Sequence, residues 1–185
     1  MKHPSSREFF AYWDSRRGGN RAPDRSDFEP EAMREKLGDI FVLAYDAPTG
    51  HPFRVAGTRV CALFGRDLKQ RSFADLFIPE SRREIDEIIT VVAEEMLAAV
   101  AGITAKAADG VPVHFELLLL PFQHRAHAPL SLTGMLSPFE KCHGVLSEAT
   151  LTSWRYIFDR PQQWMPRALR KLALARGLMV YEGLR

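Results

Sequence analysis

A chain of 185 residues makes one domain plus extensions, and it is long enough to bury a core without disulfide or metal staples. Hydrophobic residues make up 46% and charged residues 26%, the balance of a globular protein, and a net charge of +2 argues against nucleic acid or an anionic membrane surface as the main partner. Cys61 and Cys142 lie far apart and outside any CxxC pair, which excludes a disulfide framework and a zinc site and fits a reduced, cytoplasmic setting.

No signal peptide is expected at the N-terminus, because residues 1–10 carry charges and no apolar run. Ser5 and Glu8 have capping-box spacing, so the first element is a helix from about Ser6 to Arg17, stopped by Gly18 and Gly19. The polar stretch Asn20 to Glu29 follows. Pro30 then suits a first helical turn of a short helix to Leu37, closed by Gly38. Ile40 to Tyr45 and Phe53 to Ala56 read as two strands of a hairpin. Thr58 to Phe64 reads as a short helix, and Phe73 to Phe77 as a helical turn. Pro79 opens the longest helix, to about Ala99, with Ile85, Ile88, Ile89, Val92 and Met96 at helical spacing. Its acids Asp86, Glu87, Glu94 and Glu95 keep this stretch from membrane-spanning character.

Three strands follow, at Ala101 to Ala107, Val113 to Leu120 and Leu130 to Ser137, with Asp109-Gly110 as a hairpin turn between the first two. From Leu146 the spacing of Leu151, Trp154, Ile157 and Phe158 predicts a helix, and Met165 to Arg176 predicts another after the break at Pro161. The expected fold class is α+β. A five-stranded antiparallel sheet carries helices on one face, an N-terminal helix precedes it and a helical tail follows. The segments are 1–38, a helix and a basic, glycine-containing connector; 39–140, the core; and 141–185, a basic helical extension.

Several short pieces are more specific than this order. They are Tyr12-Trp13, Arg21-Ala22-Pro23 with Arg25, Asp27 and Pro30, then Phe53 to Thr58, Leu63 to Leu68, Leu119 to Phe122 and Leu132-Thr133-Gly134. In these the chain resembles the PAS-like family, found mostly in alphaproteobacteria, that was long catalogued as a domain of unknown function. The resemblance covers about residues 7 to 140 and implies a PAS fold and a role in signalling. The chain has Gln70 where the family tends to glycine, Phe77 where it tends to tryptophan, and Ser131 near a frequent arginine.

PAS domains hold ligands between the sheet and the long helix. The resemblance therefore implies a ligand pocket lined by Val55, Phe64, Phe73, Phe77, Ile88 and Val92. No cofactor is expected. The long helix has no histidine to ligate haem, and no Asn-Cys-Arg motif of flavin photoreceptors is present. His124 and His127 lack a neighbouring carboxylate or cysteine, and Cys142-His143 are adjacent, so no metal site is expected. Arg16, Arg17, Arg21 and Arg25 around Gly18-Gly19 are a candidate anion site, set against pairing with Asp24, Asp27 and Glu29. Phe9, Phe10 and Trp13 on one short helix are a candidate homodimer interface.

No GxSxG, P-loop, HExxH or GxGxxG motif occurs. The expectation is a non-enzymatic PAS-type sensory or adaptor protein of bacterial signal transduction. It would act by binding a protein partner, a small-molecule ligand or both. The alternatives are a small-molecule enzyme using the PAS pocket, and a membrane-surface or nucleic-acid adaptor using the basic C-terminal residues.

Overall fold

The computed structural model describes residues 1–124, 128–142, 144–157, 170–175 and 178–182. The first helix, α1 (Pro4–Arg17), starts slightly earlier than the Ser5–Glu8 spacing predicts. His3 is its N-cap, with the imidazole Nδ1 accepting from the Ser5 backbone N–H at 3.2 Å. Pro4 takes the first helical position, where a missing N–H costs nothing. The helix ends at Gly18, whose φ is 55°. A 3-10 segment, Pro30–Asp39, broken at Met33, replaces the expected short α-helix.

The hairpin β1 (Ile40–Ala44) and β2 (Phe53–Ala56) forms as expected, followed by α2 (Thr58–Leu63) and a 3-10 turn at Ala74–Leu76. The long helix α3 (Pro79–Glu95) stops short of Ala99, because Met96 turns into the left-handed region at φ 55°. Ala98 to Val100 therefore open the next strand. That strand is β3 (Ala98–Ala107), and β4 (Pro112–Pro121) and β5 (Ser131–Pro138) follow it.

Among the described residues the sheet has eight strands rather than five. Leu146–Ile157 is a strand, β6, and β7 (Arg170–Ala175) and β8 (Leu178–Glu182) extend it. The order is β2-β1-β5-β4-β3-β6-β7-β8, so the five expected strands are contiguous and the additions continue from the β3 edge. The ten-residue β3 has a row of backbone donors and acceptors on that edge, and β6 pairs with them.

The expected C-terminal helix is thus overturned over residues 146–157 and 170–175; Phe158, residues 165–169 and Arg176 of that expectation lie outside the described residues. A bulge explains the misreading. Ile103 pairs with Leu151 and Gly102 with Ser153, leaving Thr152 unmatched. Leu151 and Trp154, three apart, then fall on one face of a strand and imitate helical spacing.

The helices α2 and α3 lie on one face of the sheet, as expected, and α1 lies on the other. A large core lies between the sheet and α3, built from Phe41, Phe53, Phe73, Ile88, Leu117 and their neighbours. On the opposite face Phe9 and Trp13 of α1 pack with Leu118, Leu120 and Met135. Alternating residues of β4 serve the two cores, which is why the run Phe115 to Pro121 is buried throughout.

Two quoted glycines sit at close approaches. A Cβ on Gly134 would lie 2.4 Å from the Phe41 ring, and one on Gly57 would lie 2.3 Å from the Gly38 carbonyl.

Candidate functional site

Phe64, Phe73, Phe77, Ile88 and Val92 do converge between sheet and α3, as the pocket expectation requires. They meet as packed core, however. Phe73 is 5.4 Å, ring centre to ring centre, from Phe41, 5.5 Å from Phe53 and 5.4 Å from Phe77. The void left beside Phe64, Phe73 and Phe77 is about 20 Å³, and Leu146 and Ala149 of β6 close it. A metabolite site takes about 300 Å³ or more. A space of this size holds one water at most, and apolar walls leave that water without partners.

Val55 is not part of this wall. It pairs with Val42 in the β1–β2 ladder and is 51% exposed, so its assignment to the pocket is corrected. The sequence missed this because a register shift between Val42 and Leu43 breaks the simple in–out alternation of β2.

A larger space lies on the other face. An open groove of about 560 Å³ runs over Gly102, Ser153 and Arg155, beside the start of α1. The nearly buried Glu116 carboxylate anchors α1 there, accepting from the Lys2 and His3 backbone N–H groups at 2.6 and 3.0 Å. Sequence reading gave Glu116 no role, since a glutamate in an apolar strand shows its partner only once the chain folds.

The aromatic residues of α1 do not form an exposed patch, which corrects the basis of the expected dimer interface. Phe9 is fully buried, and Trp13 is buried with its indole N–H donating to the Pro121 carbonyl at 2.8 Å. Phe10 is half-buried and stacks on Trp13 at 5.7 Å. The uncovered sheet face takes up the apolar surface that the dimer argument left over.

The arginines of the candidate anion site divide. Arg16 donates to Glu29 at 2.9 Å, and Arg17 to Asp14 at 2.5 Å and to the Asn20 carbonyl at 3.1 Å. Their guanidinium groups also sit over the rings of Tyr12 and Trp13 at 5.2 and 5.7 Å. Arg21 and Arg25 remain exposed. Two of the four charges are therefore engaged within the chain.

Among the described residues no three His, Cys, Asp or Glu side chains group as a metal site. His124 bonds the Ala93 carbonyl at 2.6 Å, while His127 and His143 lie outside the described residues. Burial pushes the Cys142 thiol pKa up, away from thiolate reactivity. No described helix is long and apolar enough to cross a membrane.

Solved structures similar to this chain include the LOV protein of Rhodobacter sphaeroides, with 13% identity over 60% of this chain and 69% of that one and a TM-score of 0.44. Another is the LOV domain from the blue-light-activated histidine kinase of Erythrobacter litoralis, with 12% identity over 56% and 96% of the two chains and a TM-score of 0.42. No curated protein matches. The family model described as PAS domain, PAS_5, matches residues 1–137, from the N-terminus through nearly all of β5. With β2-β1-β5-β4-β3 as its contiguous core and that match across most of its length, the chain belongs to the PAS domain family.

Proposed function

We propose that this protein is a non-enzymatic sensory or adaptor module of bacterial signal transduction, acting in the cytoplasm by docking a protein partner. The observation that carries this reading is the filled interior. A void of about 20 Å³ leaves the space between sheet and α3 without room for a metabolite. A module of this kind transmits through its surface.

A second reading, small-molecule sensing at the open groove over Gly102 and Arg155, is favoured by that groove's volume of about 560 Å³. Native mass spectrometry of freshly purified protein separates the two. The docking reading expects the mass of the polypeptide, as monomer or dimer, with nothing retained. A stoichiometric small molecule that survives purification, and is lost on Arg155→Ala, overturns it in favour of the groove.

A further inference from the structure

We propose that the surface made by β2 and the loop that runs along its outer edge is the docking surface, and that it receives an acidic segment of the partner protein; this rests on the docking reading above. Backbone bonds define the edge. The Phe53 N–H donates to the Arg71 carbonyl at 3.0 Å, and the Phe53 carbonyl accepts from the Gln70 N–H at 2.8 Å. Loop residues 69–72 therefore run alongside β2, with bridges at Phe53–Lys69 and Pro52–Ser72. Arg54 is the residue left unmatched where the register shifts, because Val42 pairs with Val55 and Leu43 with Phe53. Arg54, Lys69 and Arg71 are thus brought to one edge, with Arg66 at the start of the same loop.

Among the described residues these four cations have no acid partner, whereas Arg16, Arg59, Arg82, Arg83 and Lys106 each have one. The one acid within the loop, Asp67, is used locally and accepts from the Lys69 backbone N–H at 2.9 Å. In a chain whose net charge is only +2, an unbalanced cluster of this size is a local feature.

Two further observations select the partner. Val55 is 51% exposed and Leu37 38% exposed. A Cβ on Gly57 would lie 2.4 Å from the Leu37 carbonyl, which places Leu37 beside the end of β2. Aliphatic contacts among cations suit a protein segment, whereas single-stranded nucleic acid is held by cations with aromatic stacking platforms. Gln70, at the centre of the loop, holds φ 62°, a left-handed conformation that is unfavourable to a glutamine. Strain kept at an exposed position points to a selected loop shape.

The test is fluorescence anisotropy with a labelled peptide of glutamate and interspersed leucine. A lysine-for-glutamate version and a single-stranded DNA oligonucleotide serve as comparators. The full chain should bind the acidic peptide, more weakly as salt rises, and should bind neither comparator as well. Arg54→Glu/Lys69→Glu/Arg71→Glu should weaken binding about tenfold or more, while Arg83→Glu, a charge change on α3, should not. Equal loss in both variants, no loss in the triple variant, or tighter binding of the oligonucleotide overturns the proposal. Circular dichroism reports whether the triple variant folds. If it does not, the exposed single changes Lys69→Ala and Arg71→Ala must each lower affinity several-fold, and unchanged affinity refutes the assignment. A wild type that ignores the acidic peptide also refutes it, yet leaves the docking reading intact, since that reading fails only on a retained small molecule.

Discussion

His51 and Asp86 join the β1–β2 turn to the long helix: the fully buried imidazole places Nε2 2.7 Å from the Asp86 carboxylate. The Asp46 backbone N–H donates to the other ring nitrogen, Nδ1, at 3.2 Å, so the neutral ring carries its proton on Nε2 and donates it to Asp86. The same ring stacks on Tyr45 at 5.5 Å. Asp86→Ala leaves a buried donor without its acceptor and should cost about 1 kcal/mol, more if water fails to reach the site. Asp86→Asn keeps an acceptor and should cost less. Urea denaturation of the two variants checks the order, and an Asn variant as damaged as the Ala variant would show that charge, not the hydrogen bond, is what matters.

Phe73 stands at the middle of the ring cluster in the packed interior. Phe73→Ala should destabilise by about 3–5 kcal/mol. If the variant folds, it should gain a dry cavity that takes up a small apolar probe such as benzene, while the wild type, with its void of about 20 Å³, should not. Benzene raising the melting temperature of the wild type as much as that of the variant would contradict the filled interior.

Gln70 holds φ 62° where the resembling family tends to glycine. Removing the side chain relieves left-handed strain but adds freedom to the unfolded chain, so Gln70→Gly should stabilise by about 0.5–1 kcal/mol. Gln70→Val, with a branched Cβ in the same conformation, should destabilise. Thermal melts of both variants decide it; a destabilised glycine variant would mean that the Gln70 side chain makes a compensating contact.

The Tyr45 hydroxyl donates to Glu94 at 2.5 Å, and its pKa is raised, first by burial and then by that bond. A raised pKa in the folded state means stability that is whole below the ordinary tyrosine value of about 10 and is lost as pH climbs through the higher folded value. An ultraviolet titration should show one tyrosine ionising late. Tyr45→Phe should abolish that step. Glu94→Gln should bring it down only in part, because burial, the larger cause, remains. A titration identical in wild type and Tyr45→Phe would refute the shift.

What the sequence determined by itself rested on local period and local turn chemistry. Ile85, Ile88, Ile89 and Val92 mark α3 through helical spacing, and Asp109-Gly110 marks the β3–β4 turn, because both signals act between near neighbours. The five core strands followed from the same source, whereas the likeness to PAS domains lay in the short pieces from Tyr12-Trp13 to Leu132-Thr133-Gly134. Tertiary structure decided the rest. Thr152 bulges only because β3 offers a partner edge, so the strand nature of β6 could not be read from Leu151 and Trp154 alone. Phe9 and Trp13 look like interface residues until the far face of β4 is seen to need cover. Arg16 and Arg17 look free until Glu29 and Asp14 reach them, while Arg54, Lys69 and Arg71 look scattered until Phe53 bonds the loop to its strand. Each of these outcomes depends on pairings between residues distant in the chain, or on a competition for burial, and neither leaves a periodic mark in the sequence.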